Sequence, residues 1–219
     1  MKEWIIAPKQ SAAFVHCMEE VLSVYERPYN STHPVICLDE SPRQLIEFRE
    51  ERKNDGVLLT DCEYIRKGVA EIYMAFEPLT GKRYVSIEDD HTAKTWVKVV
   101  SSLLDKEYRN CDRITLVEDN LTAHRPCTFY EVYEPTVAKD YLDRIEFVFT
   151  PKHGSWLDMA EIELSVLDRD CKSSFESREK LAAHISAWQK LRNGKEVKAN
   201  WHFTNKDARV KLTKLYPTI

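Results

Sequence analysis

The hydrophobic positions along the chain follow two spacings, one typical of helices and one typical of buried strands. Apolar side chains at positions 14, 18, 21, 22 and 25 recur every three or four residues, which predicts an amphipathic helix within residues 9 to 25. A similar pattern predicts a helix over residues 92 to 108 that lays one apolar face against a sheet. A mixed segment over residues 126 to 142 is expected to be helical. Two further helices are predicted, one beginning near Ser155 and one capped by Ser177.

Short apolar runs predict the strands. Residues 34 to 38 (PVICL) and 113 to 117 (RITLV) are short, mainly apolar runs, as expected for strands buried on both faces. Residues 68 to 76 and 83 to 87 flank the turn sequence PLTG and predict a β-hairpin. Residues 145 to 149 predict one more strand. The order of these elements predicts an α/β fold with a mixed five-stranded sheet and helices on both faces.

Two of the predicted buried strands run directly into carboxylates. Asp39 and Glu40 follow the first, and Glu118 and Asp119 follow the second. If these strands lie side by side, their carboxylates converge at one edge of the sheet, where like charges repel unless a cation lies between them. Hard divalent cations prefer such oxygen ligands. A third acidic group from a nearby helix would complete a two-metal site suited to phosphodiester displacement.

Composition limits the other classes of protein that the chain could represent. Five glycines and nine prolines among 219 residues, without repeats, indicate one compact main domain. No segment resembles a signal peptide or is apolar over the roughly 20 residues that cross a bilayer, so we expect a soluble, cytoplasmic protein without a membrane partner. The six cysteines form no CxxC pair, which argues against structural zinc and a disulfide framework.

The charge is unevenly distributed. The net charge is −4, but residues 190 to 214 carry +6 and the rest of the chain carries −10. A basic end of this kind can bind phosphates, and a solvated helical face is an equally open interpretation. The basic residues singled out as possible DNA contacts are Lys195, Lys198, Lys206, Arg209 and Lys211.

Several motifs in order resemble the DDE transposases of bacterial insertion sequences, in the mariner superfamily. The motifs are VICLDE (35 to 40), PLTGKR (78 to 83), LVEDNLTAH (116 to 124) and TPKHGSWLDMAEIELS (150 to 165). The likeness extends to KEWIIAPKQ (2 to 10) and WHFTNKDARVKLTKLYP (201 to 217). Separated motifs in the family's order are together a much stronger signal than any one of them.

The resemblance implies an RNase H-like fold in which Asp39, Asp119 and Glu161 are the catalytic carboxylates and hold two Mg²⁺ or Mn²⁺ ions. Glu163 is the competing choice for the third carboxylate. Two residues along a helix correspond to a rotation of about 200°, so the two glutamates cannot both face the same metals. The match to the SWLDMAE stretch favours Glu161.

The implied activity is DNA cleavage at the ends of a mobile element, followed by attack of the freed 3′-hydroxyl on target DNA. The implied partners are double-stranded DNA, as element ends and target, and a second copy of the chain in a homodimer on DNA, within a bacterial cytoplasm. Members of the family usually carry N-terminal helix-turn-helix modules. We expect that recognition region to be missing here. The alternatives are an RNase H-type nuclease or resolvase without strand transfer, and a catalytically silent domesticated DNA-binding remnant.

The resemblance also suggests a division of the chain. We expect an N-terminal helical segment over residues 1–33, the catalytic domain over 34–194, and a basic tail over 195–219 that packs on or near the catalytic domain.

Other polar residues near the motifs are candidates for contact with DNA or phosphate. Those candidates are Asn120, His124, His153 and Ser155, the last two lying at a predicted helix N-terminus, where backbone N–H groups favour phosphate. Helix capping and surface exposure are the plainer interpretations of Asn120 and His124.

Three further acidic residues lie next to the predicted carboxylates. Glu40 and Glu118 are expected to point away from the site, because successive side chains alternate along an extended backbone. Asp158 stands where Asn is common in the family, and its charge could strengthen or disturb metal binding.

Overall fold

The computed structural model describes residues 11–49, 51–54, 57–60 and 63–218. The matching segment over residues 2–10 and Cys62 lie outside the described residues. The strands are β1 (Val35–Phe48), β2 (Glu51–Asn54), β3 (Val57–Thr60), β4 (Tyr64–Glu77), β5 (Lys82–Glu88), β6 (Ile114–Glu118) and β7 (Ile145–Phe149). The α-helices are α1 (Ala12–Tyr25), α2 (Ala93–Lys106), α3 (Phe129–Val132), α4 (Pro135–Asp143), α5 (Met159–Asp170), α6 (Arg178–Gly194) and α7 (Asn205–Lys211).

Five strands form one mixed sheet in the order β5-β4-β1-β6-β7. The neighbours β1 and β4, and β4 and β5, are antiparallel, whereas β6 is parallel to both β1 and β7. The predicted mixed sheet and its hairpin are therefore confirmed. The antiparallel pair of β2 and β3 is separate from this sheet and was not predicted.

Helices cover both faces of the sheet, as predicted. On one face α1, α5 and α6 bury apolar side chains such as Met18, Leu164 and Leu181. On the other face α2, α3 and α4 pack around Trp96 and Phe129. Since burial of apolar surface drives folding, these two layers hold the sheet between them.

The first strand is longer than the sequence predicted. β1 continues past Asp39 to Phe48, because after Cys37 it stays paired with β4 while its parallel contact with β6 ends. The prediction of a strand that ends at Leu38 is therefore wrong. The carboxylate of Asp39 lies within a strand, at the point where one of the two neighbouring strands leaves the sheet.

The edge strand β5 has its outward backbone groups bonded by side chains of α6. Asn193 accepts a hydrogen bond from the Arg83 N–H (2.9 Å) and donates one to the Arg83 carbonyl (2.8 Å). Gln189 accepts from the Val85 N–H at 2.8 Å, and the Arg178 guanidinium donates to the Ile87 carbonyl at 2.8 Å. The helix therefore takes the place of a further strand at this edge.

The chain after α6 crosses from the hairpin turn to α1. The Ala199 N–H donates to the Pro78 carbonyl (3.0 Å), and Gly81 at φ +75° lies so close that a Cβ would stand 2.8 Å from the Val197 backbone. The tail then continues through α7 and a 3₁₀ turn to Leu215, whose carbonyl accepts from Ser11 N–H at 3.1 Å. The division of the chain at residues 33 and 194 stays a prediction.

None of the helices in the described part of the chain is long and apolar enough to cross a bilayer. The described cysteines, Cys17, Cys37, Cys111, Cys127 and Cys171, are free thiols.

Candidate active site

The parallel register of β1 and β6 brings two predicted carboxylates to the same level. Cys37 lies opposite Val117, and two residues further along the two segments come Asp39 and Asp119. β6 ends at Glu118, so Asp119 stands at the carboxyl end of its strand. In open α/β sheets this end of the strands is where ligands bind.

The third predicted carboxylate reaches the same place from a helix. A 3₁₀ turn over Ser155–Leu157 precedes α5, which begins at Met159 and not near Ser155 as predicted. The side chain of Asp158 caps the helix by accepting a 2.8 Å hydrogen bond from the Ala160 N–H. Glu161 therefore lies in the first turn of α5.

The three carboxylates line one cleft of about 300 Å³. Its lining residues are Asp39, Glu40, Ser41, Asp119, Ser155, Asp158, Glu161, Leu164, Ser165 and Asp168. The four contributed by α5 have the spacing i, i+3, i+4 and i+7, which is one face of a helix. The sequence alone did not identify Ser41, Ser165 or Asp168 as lining residues. For Ser165 and Asp168, the helical spacing from Glu161 was the available signal.

Protein cations balance only part of the negative charge in the cleft. Arg43 forms an ion pair with Asp168, whereas Asp39, Asp158 and Glu161 have no such pair within the described part of the chain. Burial is the largest cause that raises the pKa of Asp39 to about 7, and the charge of Glu40 follows. The charges of Asp119 and Glu161 act in the same direction. Burial, and then the charge of Asp39, hold the pKa of Asp158 well above its ordinary value.

Three buried oxygen atoms of residues that line the cleft lack hydrogen-bond partners. They are Glu40 Oε2, Asp158 Oδ2 and Glu161 Oε2. Since an unpaired buried carboxylate oxygen is costly, such atoms are typical of sites that accept a ligand or a metal ion.

The donor set fits divalent cations. As the side chains stand, no group of three His, Cys, Asp or Glu residues in the described ranges is close enough to enclose a metal ion. Three mutually repelling carboxylates are expected to stand apart when no cation draws them together. Carboxylate oxygens are the ligands that Mg²⁺ and Mn²⁺ prefer. Burial disfavours the charged form of Asp39, and one oxygen of Glu161 lacks a partner, so a bound cation would stabilise both.

A buried histidine links two carboxylates at this end of the sheet. The His124 ring is 3% exposed, with Nδ1 lying 2.7 Å from Asp119 Oδ1 and Nε2 lying 3.4 Å from Glu40 Oε2. Burial lowers the pKa of His124, but the contacts with the two carboxylates outweigh it and raise the pKa to about 10. His124 therefore carries positive charge between them. Its predicted contact with DNA stays a prediction, since here both ring nitrogens face carboxylates.

The expectation that Glu40 points away from the site is wrong, because its carboxylate contacts the histidine that also contacts Asp119. Glu118 does turn into the core, where its Oε2 accepts a 2.9 Å hydrogen bond from Trp96 Nε1. Burial raises the pKa of Glu118 to about 8. The ring of His124 stacks on the same tryptophan at a centroid distance of 5.6 Å.

The other predicted DNA contacts lie on the surface. Asn120, His153 and Ser155 are exposed, and Ser155 lines the cleft. His153 has φ +67°, a left-handed conformation that is strained for a non-glycine residue and is frequent at functional sites. The next residue, Gly154, has no room for a Cβ, which would stand 2.5 Å from Pro151 Cγ.

The five basic tail residues are exposed and do not line the cleft. Arg209 forms an ion pair with Glu19 at 2.8 Å, and Lys211 forms one with Asp207 at 3.1 Å. Their role in DNA contact stays a prediction.

Glu163, the alternative third carboxylate, lies outside the cleft. Its two carboxylate oxygens accept hydrogen bonds from Arg83 Nε (2.7 Å) and Arg192 NH2 (3.0 Å), and the residue is buried. The geometry thus separates the two glutamates of α5 as the helical rotation predicted.

Comparisons with known proteins support the same interpretation. A family model described as DDE superfamily endonuclease matches residues 34–182. Among solved structures, the Mos1 mariner paired end complex with Mn is similar at 15% identity and a TM-score of 0.56, over 90% of this chain and 61% of that chain. The Mos1 strand transfer complex is similar at 12% identity and a TM-score of 0.59, over 100% of this chain and 67% of that chain.

The Mos1 paired end complex with Mg is also similar, at 14% identity and a TM-score of 0.58, over 100% of this chain and 67% of that chain. This chain spans about three fifths of the length of the first two Mos1 chains. No curated protein matches the sequence. At these identities the structural similarity shows the fold, which is RNase H-like, as predicted. The family match covers more than half of the residues, and the chain therefore belongs to the DDE superfamily endonucleases.

Proposed function

We propose that the protein is a DDE transposase catalytic domain that cleaves DNA at the ends of a bacterial insertion sequence and joins the freed 3′ end to target DNA. The observation that carries this proposal is the meeting of Asp39, Asp119 and Glu161, from two strands and one helix, in a single cleft. A nuclease site of this class needs no protein nucleophile, because positioning and charge stabilisation supply the catalysis.

In this proposal the three carboxylates hold two Mg²⁺ or Mn²⁺ ions. When bound, such ions stabilise the charge on the attacking and leaving oxygens of a phosphodiester displacement. The roles of the protein groups follow from their placement. Asp39 and Asp119 present oxygens from the sheet, Glu161 presents oxygens from the facing helix, and Ser155 at the rim is available to contact a DNA phosphate.

The proposed DNA substrate agrees with the titles of the similar structures. The Mos1 structures include paired-end and strand-transfer complexes, and two of them contain Mn or Mg. By analogy we propose that this chain acts as a homodimer on double-stranded DNA in the cytoplasm. The exposed residues Asn120 and His153 and the tail residues Lys195, Lys198 and Lys206 are proposed to contact phosphates.

Cleavage of supercoiled plasmid tests the metal site. Wild-type protein is expected to nick the plasmid with Mn²⁺ or Mg²⁺ and to lose that activity with EDTA. Asp39→Asn, Asp119→Asn and Glu161→Gln should each remove it, whereas Glu131→Gln, an exposed carboxylate on α3, should not. Equal cleavage by wild type and Glu161→Gln would remove this residue from the site.

Strand joining separates the transposase from a nuclease or resolvase. A labelled, precut element end mixed with target plasmid should yield a covalent joint product with wild-type protein and Mg²⁺. Cleavage without joining would favour the plain nuclease. DNA binding without metal-dependent cleavage would favour a catalytically silent DNA-binding remnant.

A further inference from the structure

On the side of α5 that faces away from the cleft, Glu163 is bound by two arginines. Arg83 is fully buried, and its guanidinium donates to Glu163 and, at 2.7 Å, to the Val197 carbonyl. The Arg83 guanidinium also lies 4.6 Å from the centre of the Phe76 ring. Arg192 of α6 donates to the other oxygen of Glu163. One carboxylate of α5 is thus tied to β5 and to α6.

These contacts are directional. Two other directional contacts of α5, from Arg43 to Asp168 and from Trp188 to Asp170, lie in its last turn, about two turns from Glu161. Leu164 and Leu167 bury apolar surface, and burial of that kind tolerates small rotations of the helix. A carboxylate bound by two guanidinium groups has its oxygen positions set by hydrogen-bond geometry. The Glu163 contacts therefore limit how far α5 can turn about its own axis.

The rotation of α5 decides where Glu161 lies. The carboxylate of a helical glutamate stands about 6 Å from the helix axis, given a Cα radius of about 2.3 Å. A turn of about 10° therefore moves it by about 1 Å. A displacement of that size in a catalytic group can lower the rate by about 100-fold.

We propose that Arg83, Glu163 and Arg192 form a positioning triad that sets the rotation of α5 and thereby aims Glu161 into the cleft. The inference rests on the proposed function of Glu161 as a metal ligand. The triad touches neither metal nor DNA, and acts through the helix. It resembles the outer partners of metal ligands, whose loss typically weakens metal affinity or activity by about 10- to 100-fold.

The test compares two arginines on the same helix. Arg192→Met removes one contact to Glu163 while keeping apolar volume over Trp188, on whose ring Arg192 rests at 5.4 Å. Arg178→Ala is the matched control, because Arg178 also lies on α6 and pairs with an aspartate, but it binds β5 and not α5. Arg192→Lys is the conservative variant, and Glu163→Gln is a second variant if Arg192→Met is poorly folded.

The first readout is Mn²⁺ binding by calorimetry in the absence of DNA, and the second is turnover at saturating Mn²⁺, normalised to the folded fraction. Arg192→Met and Glu163→Gln should weaken Mn²⁺ binding by about tenfold or more, and Arg192→Lys should restore part of the loss. Arg178→Ala should stay within about twofold of wild type.

The outcomes separate this inference from the proposed function. The positioning role alone is overturned if folded Arg192→Met and Glu163→Gln bind Mn²⁺ and turn over as wild type does, while Glu161→Gln is defective. Failure of wild-type protein to bind Mn²⁺ more tightly than Glu161→Gln overturns both. Equal losses in Arg192→Met and Arg178→Ala also overturn the positioning role, since they indicate a general effect of loosening α6.

Discussion

The two sides of α5 balance negative charge in opposite ways. Toward the cleft, Glu161 has a buried oxygen without a partner, and Asp39 has a pKa raised to about 7 by burial and by its acidic neighbours. Away from the cleft, Glu163 is bound by Arg83 and Arg192. The two glutamates are two residues apart on one helix.

The difference indicates that Glu163 serves the fold, and it supports the proposed catalytic role of Glu161. On the side of α5 away from the cleft, the two guanidinium groups of Arg83 and Arg192 neutralise the charge of Glu163 and donate hydrogen bonds to it. The cleft holds more negative charge than its protein neighbours neutralise, a state that costs stability and is typical of functional sites.

Glu161→Gln is expected to lower the rate of DNA cleavage by about 10³-fold or more, as for loss of one member of a catalytic unit. Its thermal stability in metal-free buffer should not fall, because the substitution removes an uncompensated charge. Initial cleavage rates and a thermal melt provide the two measurements. A variant that loses both activity and several degrees of Tm would indicate a structural role for Glu161 instead.

Arg83→Met is expected to lower the free energy of unfolding by about 3 to 5 kcal/mol, because it leaves Glu163 buried with one partner fewer. Denaturant unfolding measures the loss. The double variant Arg83→Met, Glu163→Met should recover part of it, since no unpaired carboxylate remains. If Arg83→Met were as stable as wild type, the contact of Arg83 with Glu163 would not stabilise the fold.

The stability of the metal-free protein should fall with rising pH because of Asp39. Its ordinary pKa is 3.8 and its value in the folded protein is about 7. Between these values the unfolded chain releases the proton while the folded protein keeps it, so the folded state loses relative stability from about pH 4 to about pH 7.

Asp39→Asn removes this contribution. The difference in Tm between Asp39→Asn and wild type should therefore grow across that range, by about 10 °C, and then level off. Thermal melts from pH 4 to pH 8 in EDTA measure it. A difference that is constant with pH would mean that the pKa of Asp39 is not raised.

Substitutions of Asp158 should separate its capping role from its charge. Asp158→Ala removes the oxygen that accepts from the Ala160 N–H and should lower the free energy of unfolding by about 1 kcal/mol. Asp158→Asn keeps that oxygen and removes a buried ionisable group whose charged form burial disfavours, so it should not lower stability in metal-free buffer. Urea unfolding of the two variants provides the comparison, and equal losses would leave no role for the charge.

Most of the fold could be predicted from periodicity, and the failures have physical causes. β7 has the bounds that its apolar run predicted, and α2 begins and ends within two residues of its predicted limits. β1 was predicted too short because its apolar run stops at Asp39 and Glu40, although cross-strand pairing with β4 continues to Phe48. Such pairing is a long-range property that local sequence does not encode.

The site was predictable as a set of residues and less so as an arrangement. Asp39 and Asp119 were proposed from strand ends and Glu161 from a family resemblance. The three carboxylates share one cleft, and their catalytic role stays a prediction. The position of Glu40 was missed because the alternation rule treats β1 by itself, whereas His124 reaches Glu40 from the loop after β6. The ion pairs of Glu163 with Arg83 and Arg192 were missed, because Arg83 and Glu163 are 80 residues apart in sequence.

The bonding of β5 by α6 determines where the sheet can grow. Asn193, Gln189 and Arg178 occupy the backbone groups that another extended chain would need. Since open strand edges are the templates for unwanted self-association, this border is closed to recruitment of a neighbour. Of the two border strands of the five-stranded sheet, an added strand in a filament or an aggregate would therefore have to pair with β7 and not with β5.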